Sequence, residues 1–391
     1  MRILFYKNEF AWPRSSGHDV HTYNMMRAMA ARGVTIGLAT RSVAPPAALA
    51  GIDFGVLEAL DKTATTTPPV TQLRAGEEKF RSYWGVNPRH IARLGDLASE
   101  FKADAVVVSG LDVLPMLGAI NGAIRIWYAA DEWFWHHISQ VSLTNRTTWP
   151  ELRPAIVKGL YERAYRHRLD RVWVVSEADA RAFRLVAGVP NTDVLPNGVD
   201  SSLYAVDANP GEPNTATFWG RLDFGPNIQA LQWFSKTVWP QVMRRRPNAR
   251  FTILGFNPTE PVLAMAALPG IDLRANVPDI RTEVGKHAVV VLPFVSGGGI
   301  KNKLLEAAAM GRPIVCSERA KLGLLGSPSL VVPAEAEGWA DALTALWDDA
   351  DRRRRCGHDL RNWVTAHHSW DAVADKALLK LNKGRAQRSA A

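Results

Sequence analysis

Cysteines and long apolar runs are both scarce in this sequence of 391 residues, and each scarcity excludes a class of protein. Only two cysteines occur, Cys316 and Cys356, and neither belongs to a cluster with metal-ligand spacing. This usage is typical of buried free thiols and excludes a disulfide framework. No run of eighteen apolar residues occurs, so the sequence predicts no membrane-spanning helix.

The first residues also lack the pattern of a secretion signal. An apolar run typical of a strand begins at once, over residues 1–6 (MRILFY). We therefore expect a cytoplasmic protein that is either soluble or bound to a membrane surface. The apolar fraction of 47% and the length fit two globular domains, each with its own core.

Acidic residues are outnumbered by basic ones, 38 to 47, which gives a formal net charge of +9. The basic residues cluster at 163–168, 244–246, 352–355 and in the tail after residue 375. The clusters are scattered and no nucleic-acid-binding motif accompanies them, so we expect no nucleic-acid partner. Two interpretations stay open: contact with an anionic membrane surface, at about 1 kcal/mol for each basic residue, or ordinary solvated helix faces.

The most informative stretch spans residues 289–317, VVVLPFVSGGGIKNKLLEAAAMGRPIVCS. An apolar run stops at three glycines, a segment rich in Ala and Leu follows, and a second apolar run begins after Pro313. This order predicts a strand, a glycine turn, a helix and a second, parallel strand. The unpaired N–H groups and the dipole at the start of the helix favour an anion.

Two lysines at the start of this helix indicate that the anion is a phosphate. Lys301 and Lys303 lie in the first turn, where a cation is unfavourable unless a negative group is bound. Glu306 follows one turn later, where its carboxylate could accept hydrogen bonds from two neighbouring sugar hydroxyls. Phosphate and ribose together suggest a nucleotide, although a glycine-rich turn is also ordinary packing between a strand and a helix.

The first half of the chain contains the candidate catalytic residues, Asp131, Glu132 and His136. They follow a predicted strand over 124–129, at the end where open α/β sheets keep their active sites. The surrounding aromatic residues would raise the pKa of a carboxylate, which could then take a proton from an acceptor hydroxyl. An alternative interpretation is that Asp131 only caps the following helix, which would place it at the same position.

The second half of the chain resembles the glycosyltransferases of the family 4 type, most closely the sugar transferases associated with exopolysaccharide and exosortase systems. The family pattern G-x-x-x-K-x-L-E-A-x-x-x-G-R-P matches residues 299–313, and the similarity extends to 218–222 (FWGRL) and 277–280 (VPDI). The P-N-G-V-D run at 196–200 resembles the family's interdomain passage. One departure stands out: the family's first glutamate, eight residues before the second, is here Gly298.

The resemblance implies an α/β protein of the GT-B type, with two doubly wound Rossmann-like domains facing across a cleft. The implied domains are 1–205 for the acceptor and 206–369 for the nucleotide-sugar, with a last helix over about 370–391 that packs back on the first domain. The implied reaction moves a sugar from a nucleotide diphosphate to a hydroxyl of a glycan or lipid-linked acceptor, in exopolysaccharide or cell-surface glycan synthesis. Retention of anomeric configuration is also implied, but the loss of the first glutamate leaves it open.

Arg221 and the two lysines would neutralise the departing diphosphate, so we expect neither a metal nor another cofactor. The resemblance assigns Gly17 to a loop that approaches the reaction centre from the acceptor domain. The other expected donor-binding residues belong to the second domain: Gly220, Arg221, Gly298, Gly299, Ile300, Lys301, Asn302, Lys303 and Glu306. Two alternatives remain. One is a nucleotide-sugar epimerase of the same architecture, and the other is an inactive homologue that serves as a scaffold.

Overall fold

The computed structural model describes residues 1–12, 17–60, 76–130, 133–138, 141, 146–200, 203–204, 210–297, 299–326 and 328–389. Contacts divide the chain into two compact units, Met1–Leu195 with Val373–Ala391, and Pro196–Ala372. The sequence places the change of domain later, after residue 205, and residues 205–209 lie outside the described part of the chain.

The first unit is built on a seven-stranded parallel sheet with the order β3-β2-β1-β4-β5-β6-β7. The strands are β1 (Arg2–Lys7), β2 (Thr35–Thr40), β3 (Phe54–Ala59), β4 (Ala105–Ser109), β5 (Ile124–Ala130), β6 (Arg171–Val174) and β7 (Thr192–Val194). The winding direction reverses between β1 and β4, which is the doubly wound arrangement predicted from the sequence.

Helices connect these strands: α1 (Gly17–Ala30), α2 (Pro46–Leu49), α3 (Gly76–Tyr83), α4 (Pro88–Glu100), α5 (Trp133–Ile138), α6 (Leu152–Tyr165) and α7 (Glu177–Ala182). Short 3₁₀ segments occupy Leu114–Ala119, Arg146–Glu151 and Arg166–Arg168, and a π-helical turn spans Phe183–Ala187. The start of α4 shows the local chemistry, because the Asn87 side chain accepts a hydrogen bond from the Arg89 N–H and Pro88 occupies the first turn.

The second unit has a five-stranded parallel sheet with the order β10-β9-β8-β11-β12. Its strands are β8 (Glu212–Arg221), β9 (Arg250–Phe256), β10 (Ile271–Ala275), β11 (His287–Leu292) and β12 (Ile314–Cys316). Its helices are α8 (Gly225–Trp233), α9 (Trp239–Arg245), α10 (Glu260–Leu263), α11 (Ile280–Gly285), α12 (Asn302–Ala309), α13 (Ala336–Asp348) and α14 (Ala350–His368). Irregular helical turns cover Phe234–Val238, Ala264–Ala267 and Glu318–Lys321.

The β-α-β unit predicted for residues 289–317 is present as β11, α12 and β12. All six residues of β11 are buried, as expected for a central strand of a parallel sheet covered on both faces. Helix α12 packs its apolar face into the same core, with Leu304 and Leu305 at 0% exposure. The sequence therefore determines both the elements and the buried face of this stretch.

The last helix, α15 (Trp370–Ser389), belongs to the first unit from Val373 onward. Two ion pairs fix it there, Asp375 with Arg32 and Arg385 with Asp104, the latter at 3.0 Å. These contacts explain why the end of the chain is grouped with residues far away in the sequence.

Candidate donor site

The residues predicted to bind the donor lie mostly at one edge of the five-stranded sheet. Strands β8 and β11 are neighbours and run in parallel, so their carboxyl ends meet at that edge. Strand β8 ends in Gly220-Arg221, and the loop after β11 leads through residues 293–301 to the start of α12. This edge is where open α/β sheets bind ligands.

Lys303 is half-buried at this edge. Its Nζ donates a hydrogen bond to Asn227 Oδ1 at 3.2 Å and lies 5.4 Å from the ring centroid of Phe218. Burial lowers the pKa of Lys303 to about 8, and Glu306 acts in the opposite direction. A cation that is desolvated in this way is ready for an anionic partner.

Gly220 makes room for this lysine. Its φ is +144°, and a Cβ atom at this position would lie 2.5 Å from Cε of Lys303. A side chain there would therefore displace the ammonium group, and the left-handed backbone would strain any other residue. Asn227, only 2% exposed, completes the arrangement, because its Nδ2 donates to the Arg221 carbonyl at 2.7 Å.

Lys301 lies at the N-cap position of α12. Its Nζ donates to the carbonyl oxygens of Gly297 and Gly299 at 3.2 Å and 3.1 Å, and so closes the glycine turn. Burial lowers the pKa of Lys301 to about 8, and the positive charges of Arg319 and Lys303 add to this effect. Two ammonium groups with lowered pKa values thus stand at the amino end of one helix.

Arg221 differs from the lysines because its side chain is 60% exposed. It pairs with Asp223 through two contacts of 3.0 Å, and the carboxylate raises the pKa of the guanidinium. A diphosphate would therefore compete with Asp223 for Arg221, whereas the Lys303 ammonium group donates to the neutral side chain of Asn227.

Glu306 is held by two aromatic side chains. Trp219 donates to it from Nε1 at 2.9 Å, and the Tyr204 hydroxyl forms a second hydrogen bond. Burial raises the pKa of Glu306. A carboxylate offers about four acceptor positions, so two remain for other donors.

The remaining predicted donor residues support the start of α12. Gly299 has a φ of +66°, which favours glycine, and Ile300 packs against Gly323. Asn302 accepts a hydrogen bond from Nδ2 of Asn197 at 3.0 Å, which ties the P-N-G-V-D run to this helix. Gly298 lies outside the described residues.

The predicted catalytic residues lie largely outside the described part of the chain. Asp131 and Glu132 lie outside the described residues, as does the side chain of His136, whose backbone belongs to α5. Gly17, also predicted to bind the donor, is the first residue of α1 in the first unit. The roles of all four stay predictions.

Strand β5 precedes Asp131 and helix α5 follows it. Strand β5 ends at the buried Ala130, whose φ of +62° is unusual for a residue with a side chain. Helix α5 then begins at Trp133, whose N–H donates to Oε1 of the fully buried Glu162 at 3.1 Å. A non-glycine residue with positive φ at the end of a strand is typical of a functional site.

Several polar groups near the ends of β1 and β5 were not predicted from the sequence. Lys7 and Asp19 form a buried ion pair at 2.8 Å. The His21 ring stacks on Tyr128 at 4.3 Å between centroids, and His18 lies 5.3 Å from the same ring. Burial, together with Lys7, lowers the pKa of His18 to about 4. The run His18-Asp19 directly after Gly17 is the signal that could have identified this cluster.

Asn227, Trp219 and Tyr204 were also missed as site residues. Trp219 lies in a stretch that resembles the family, but nothing local marks Tyr204. Among the described residues, no group of three or more His, Cys, Asp or Glu side chains could hold a metal ion. Within the same residues, no helix is both long and apolar enough to cross a membrane.

Comparisons with known proteins agree with this architecture. A model described as Glycosyltransferase Family 4 matches residues 15–203, and one described as Glycosyl transferases group 1 matches residues 213–349. A search of curated proteins found no match.

Solved structures resemble the chain over nearly its whole length. HepE from Anabaena, in complex with UDP and glucose, has a TM-score of 0.64 at 14% identity and covers 98% of this chain and 100% of its own. A glycosyltransferase from Rickettsia africae has a TM-score of 0.64 at 11% identity, with 98% of each chain covered. A candidate UDP-N-acetylglucosamine 2-epimerase from Listeria monocytogenes has a TM-score of 0.56 at 12% identity, with 99% of this chain and 97% of its own covered.

Identities this low show the fold alone, and the family models supply the rest. The two models together account for most of the chain, one in each half. The chain therefore belongs to the glycosyltransferases of the family 4 type, with two Rossmann-like domains of the GT-B fold.

Proposed function

We propose that this glycosyltransferase transfers a sugar from a nucleotide diphosphate to a hydroxyl group of a glycan or lipid-linked glycan. The donor binds in the second unit, at the edge formed by β8 and the start of α12. The pathway that best fits such an acceptor is the synthesis of exopolysaccharide or another cell-surface glycan. The protein acts in the cytoplasm, at the inner face of the membrane where a lipid-linked acceptor would be reached.

The observation that carries the proposal is the half-buried Lys303 above Gly220. An ammonium group with its pKa lowered to about 8 is less favourable in the free protein than in water. Its charge becomes favourable when a diphosphate binds beside it, and Lys301 and the N–H groups of α12 add further positive potential. A site prepared for negative charge at this edge of a Rossmann-like sheet is suited to a nucleotide diphosphate.

Glu306 is proposed to bind the ribose of the donor. Trp219 and Tyr204 fix its carboxylate and leave acceptor capacity for two hydroxyl groups. The two neighbouring hydroxyls of a ribose are close enough for one carboxylate to accept a hydrogen bond from each. HepE was solved with UDP and glucose, so uridine diphosphate glucose is the first donor to test here.

The proposed reaction places the charge of the departing diphosphate on Arg221, Lys301, Lys303 and the start of α12, without a metal ion. Asp131 is the proposed base that takes the proton of the acceptor hydroxyl, and Glu132 and His136 are the alternatives. The bond from the anomeric carbon to the diphosphate breaks and a bond to the acceptor oxygen forms, with retained configuration. Product anomers, determined by NMR, test this last point.

The experiment that tests the proposal is a thermal-shift screen against nucleotides and nucleotide sugars, followed by transfer assays with the best donor. A ligand at one hundred times its Kd adds about 2.7 kcal/mol of stability, which such a screen detects easily. Transfer that persists in EDTA supports the metal-free reaction. If no nucleotide sugar raises the melting temperature, the proposed donor site is refuted.

The likeness to the Listeria protein favours one other function, epimerisation of a nucleotide sugar. An epimerase changes its donor without an acceptor, so product analysis in the absence of acceptor separates the two. Binding without any turnover would instead support the scaffold alternative.

A further inference from the structure

The basic clusters predicted from the sequence are largely paired within the protein. Arg245 forms ion pairs with Asp341 and Glu337, and Arg246 pairs with Asp348. Arg353 is buried and donates to backbone carbonyls at 2.6 Å. The clusters at 244–246 and 352–355 engaged in this way are poor candidates for a membrane contact, which directs attention to the cluster that begins at Arg163 on helix α6.

Helix α6 combines apolar and basic residues on its outward face. Leu152, Ile156 and Leu160 are 37%, 56% and 56% exposed, although large apolar side chains are usually buried. They are spaced by four residues, so they lie along one side of the helix within an arc of about 80°. They form an exposed apolar stripe.

Arginines accompany this stripe. Arg163 falls within the same arc and Arg153 directly beside it, and both are exposed. The acidic residue of α6, Glu162, lies outside this arc and is fully buried. The outward face of this helix therefore carries apolar and positive groups and no negative one.

A neighbouring segment extends the surface. The π-helical turn Phe183–Ala187 packs against α6, and its Leu185 is 84% exposed, the highest value among the described large apolar side chains. Arg184 beside it is also exposed. Leucine next to arginine thus recurs on the element adjoining α6.

We propose that the outward face of α6, consisting of Leu152, Arg153, Ile156, Leu160 and Arg163, docks the first unit on an anionic lipid bilayer. The apolar side chains enter the boundary between headgroups and acyl chains, and the arginines bind lipid phosphates. A second copy of the chain is a poorer occupant, because two such faces would bring arginines together.

This inference rests on the proposed function, since a lipid-linked acceptor is what a docked enzyme would reach. The bilayer also explains the composition of the face better than solvent does. Exposed arginines are well solvated and need no partner. Three large apolar side chains along one side of a helix are unfavourable in water and indicate a binding surface. The contact combines an apolar and an electrostatic contribution, and each can be removed separately.

Vesicle flotation tests the proposal with the full-length protein. Vesicles of phosphatidylcholine alone are compared with vesicles containing roughly 30% phosphatidylglycerol, at about 0.1 M and about 0.5 M salt. The wild type should bind the anionic vesicles. The double variant Ile156→Gln, Leu160→Gln should bind them at least about tenfold more weakly at either salt concentration.

The second double variant, Arg153→Gln, Arg163→Gln, should lose about fivefold per arginine at the lower salt concentration and much less at the higher one. Matched controls in the second unit remove exposed residues of the same type, Leu263 with Leu268, and Arg250 with Arg352. These controls should bind like the wild type. Because every substituted residue is exposed, folding should be unaffected.

Three results would overturn the proposal: no binding of the wild type to anionic vesicles, binding of both α6 variants like the controls, or equal binding to neutral vesicles. Light scattering tests whether a second copy of the chain binds this face instead. A fall in molar mass caused by Ile156→Gln and Leu160→Gln would identify a dimer interface and overturn the proposal. The donor thermal shift, measured without vesicles, distinguishes failure of this surface from failure of the donor site.

Discussion

Replacement of Lys303 by methionine separates a donor-binding role of this lysine from a structural one. Methionine has a similar length but no charge, so it fills the space above Gly220 without binding phosphate. A charge-assisted hydrogen bond contributes about 1.5 to 3 kcal/mol. The Kd of the nucleotide sugar should therefore rise between about tenfold and 150-fold at pH 7, while a nucleoside, which lacks phosphate, binds as before.

The stability of the variant should change in the opposite direction. Burial lowers the pKa of Lys303 to about 8 from its ordinary 10.5, so the charged form is disfavoured in the folded protein. This cost is fully present below pH 8 and disappears as the pH rises towards 10.5. At pH 7 it amounts to about 3 kcal/mol at most, and the loss of the contact to Asn227 offsets part of it. The melting temperature of Lys303→Met should equal or exceed that of the wild type.

The same pKa predicts a pH dependence of donor binding. Above pH 8 the lysine is neutral in the free protein and must take up a proton when the diphosphate binds. The Kd of the wild type should rise by about 25-fold between pH 7 and pH 9.5 if one lysine is protonated on binding, and more if Lys301 is protonated too. Lys303→Met should show a shallower profile.

Isothermal titration with a nucleotide sugar at both pH values measures these quantities, and calorimetry gives the melting temperature. Lys236→Met, which changes an exposed lysine of the same unit, is the control. Unchanged donor affinity together with a lower melting temperature in Lys303→Met would refute the phosphate assignment and make the lysine a structural residue.

Three further substitutions test the other roles. Glu306→Gln should raise KM for the donor more than it lowers kcat, because a ribose contact exists in both ground and transition states; steady-state kinetics would show a pure loss of kcat if Glu306 took part in the chemistry. Asp131→Asn should lower kcat by about two to four orders of magnitude with donor affinity unchanged, whereas near-normal turnover would indicate a helix cap. Gly220→Ala should weaken donor binding, because its Cβ would displace the Lys303 ammonium group; titration showing normal affinity would contradict this.

The stretch around α12 could be predicted from the sequence because its signals are local. Apolar runs, three glycines and two lysines specify the strand, the turn and the charged helix start within thirty residues or so. The partners of these residues could not be predicted in the same way. Tyr204 and Trp219 reach Glu306 from distant parts of the chain, and only the packing of α12 beside β8 brings them together.

The region between Pro45 and Pro88 shows the opposite case. Its sequence has no clear periodicity, yet α2, β3 and α3 form there. Strand β3 lies at the edge of the sheet, and its residues alternate between half-buried and exposed. An edge strand needs no continuous apolar run, because one side of it has no neighbouring strand, so the pattern that identified the central strands is absent.

The donor site also departs from what favours stability alone. Two lysines stand at the amino end of α12, where the helix dipole disfavours them, and burial lowers both pKa values. Gly220 adopts a backbone conformation with positive φ so that one of them fits. Each of these features weakens the free protein, and a bound diphosphate would relieve the electrostatic part. Conflicts of this kind between sequence and local stability are expected where a protein binds its ligand, and here they converge on one edge of one sheet.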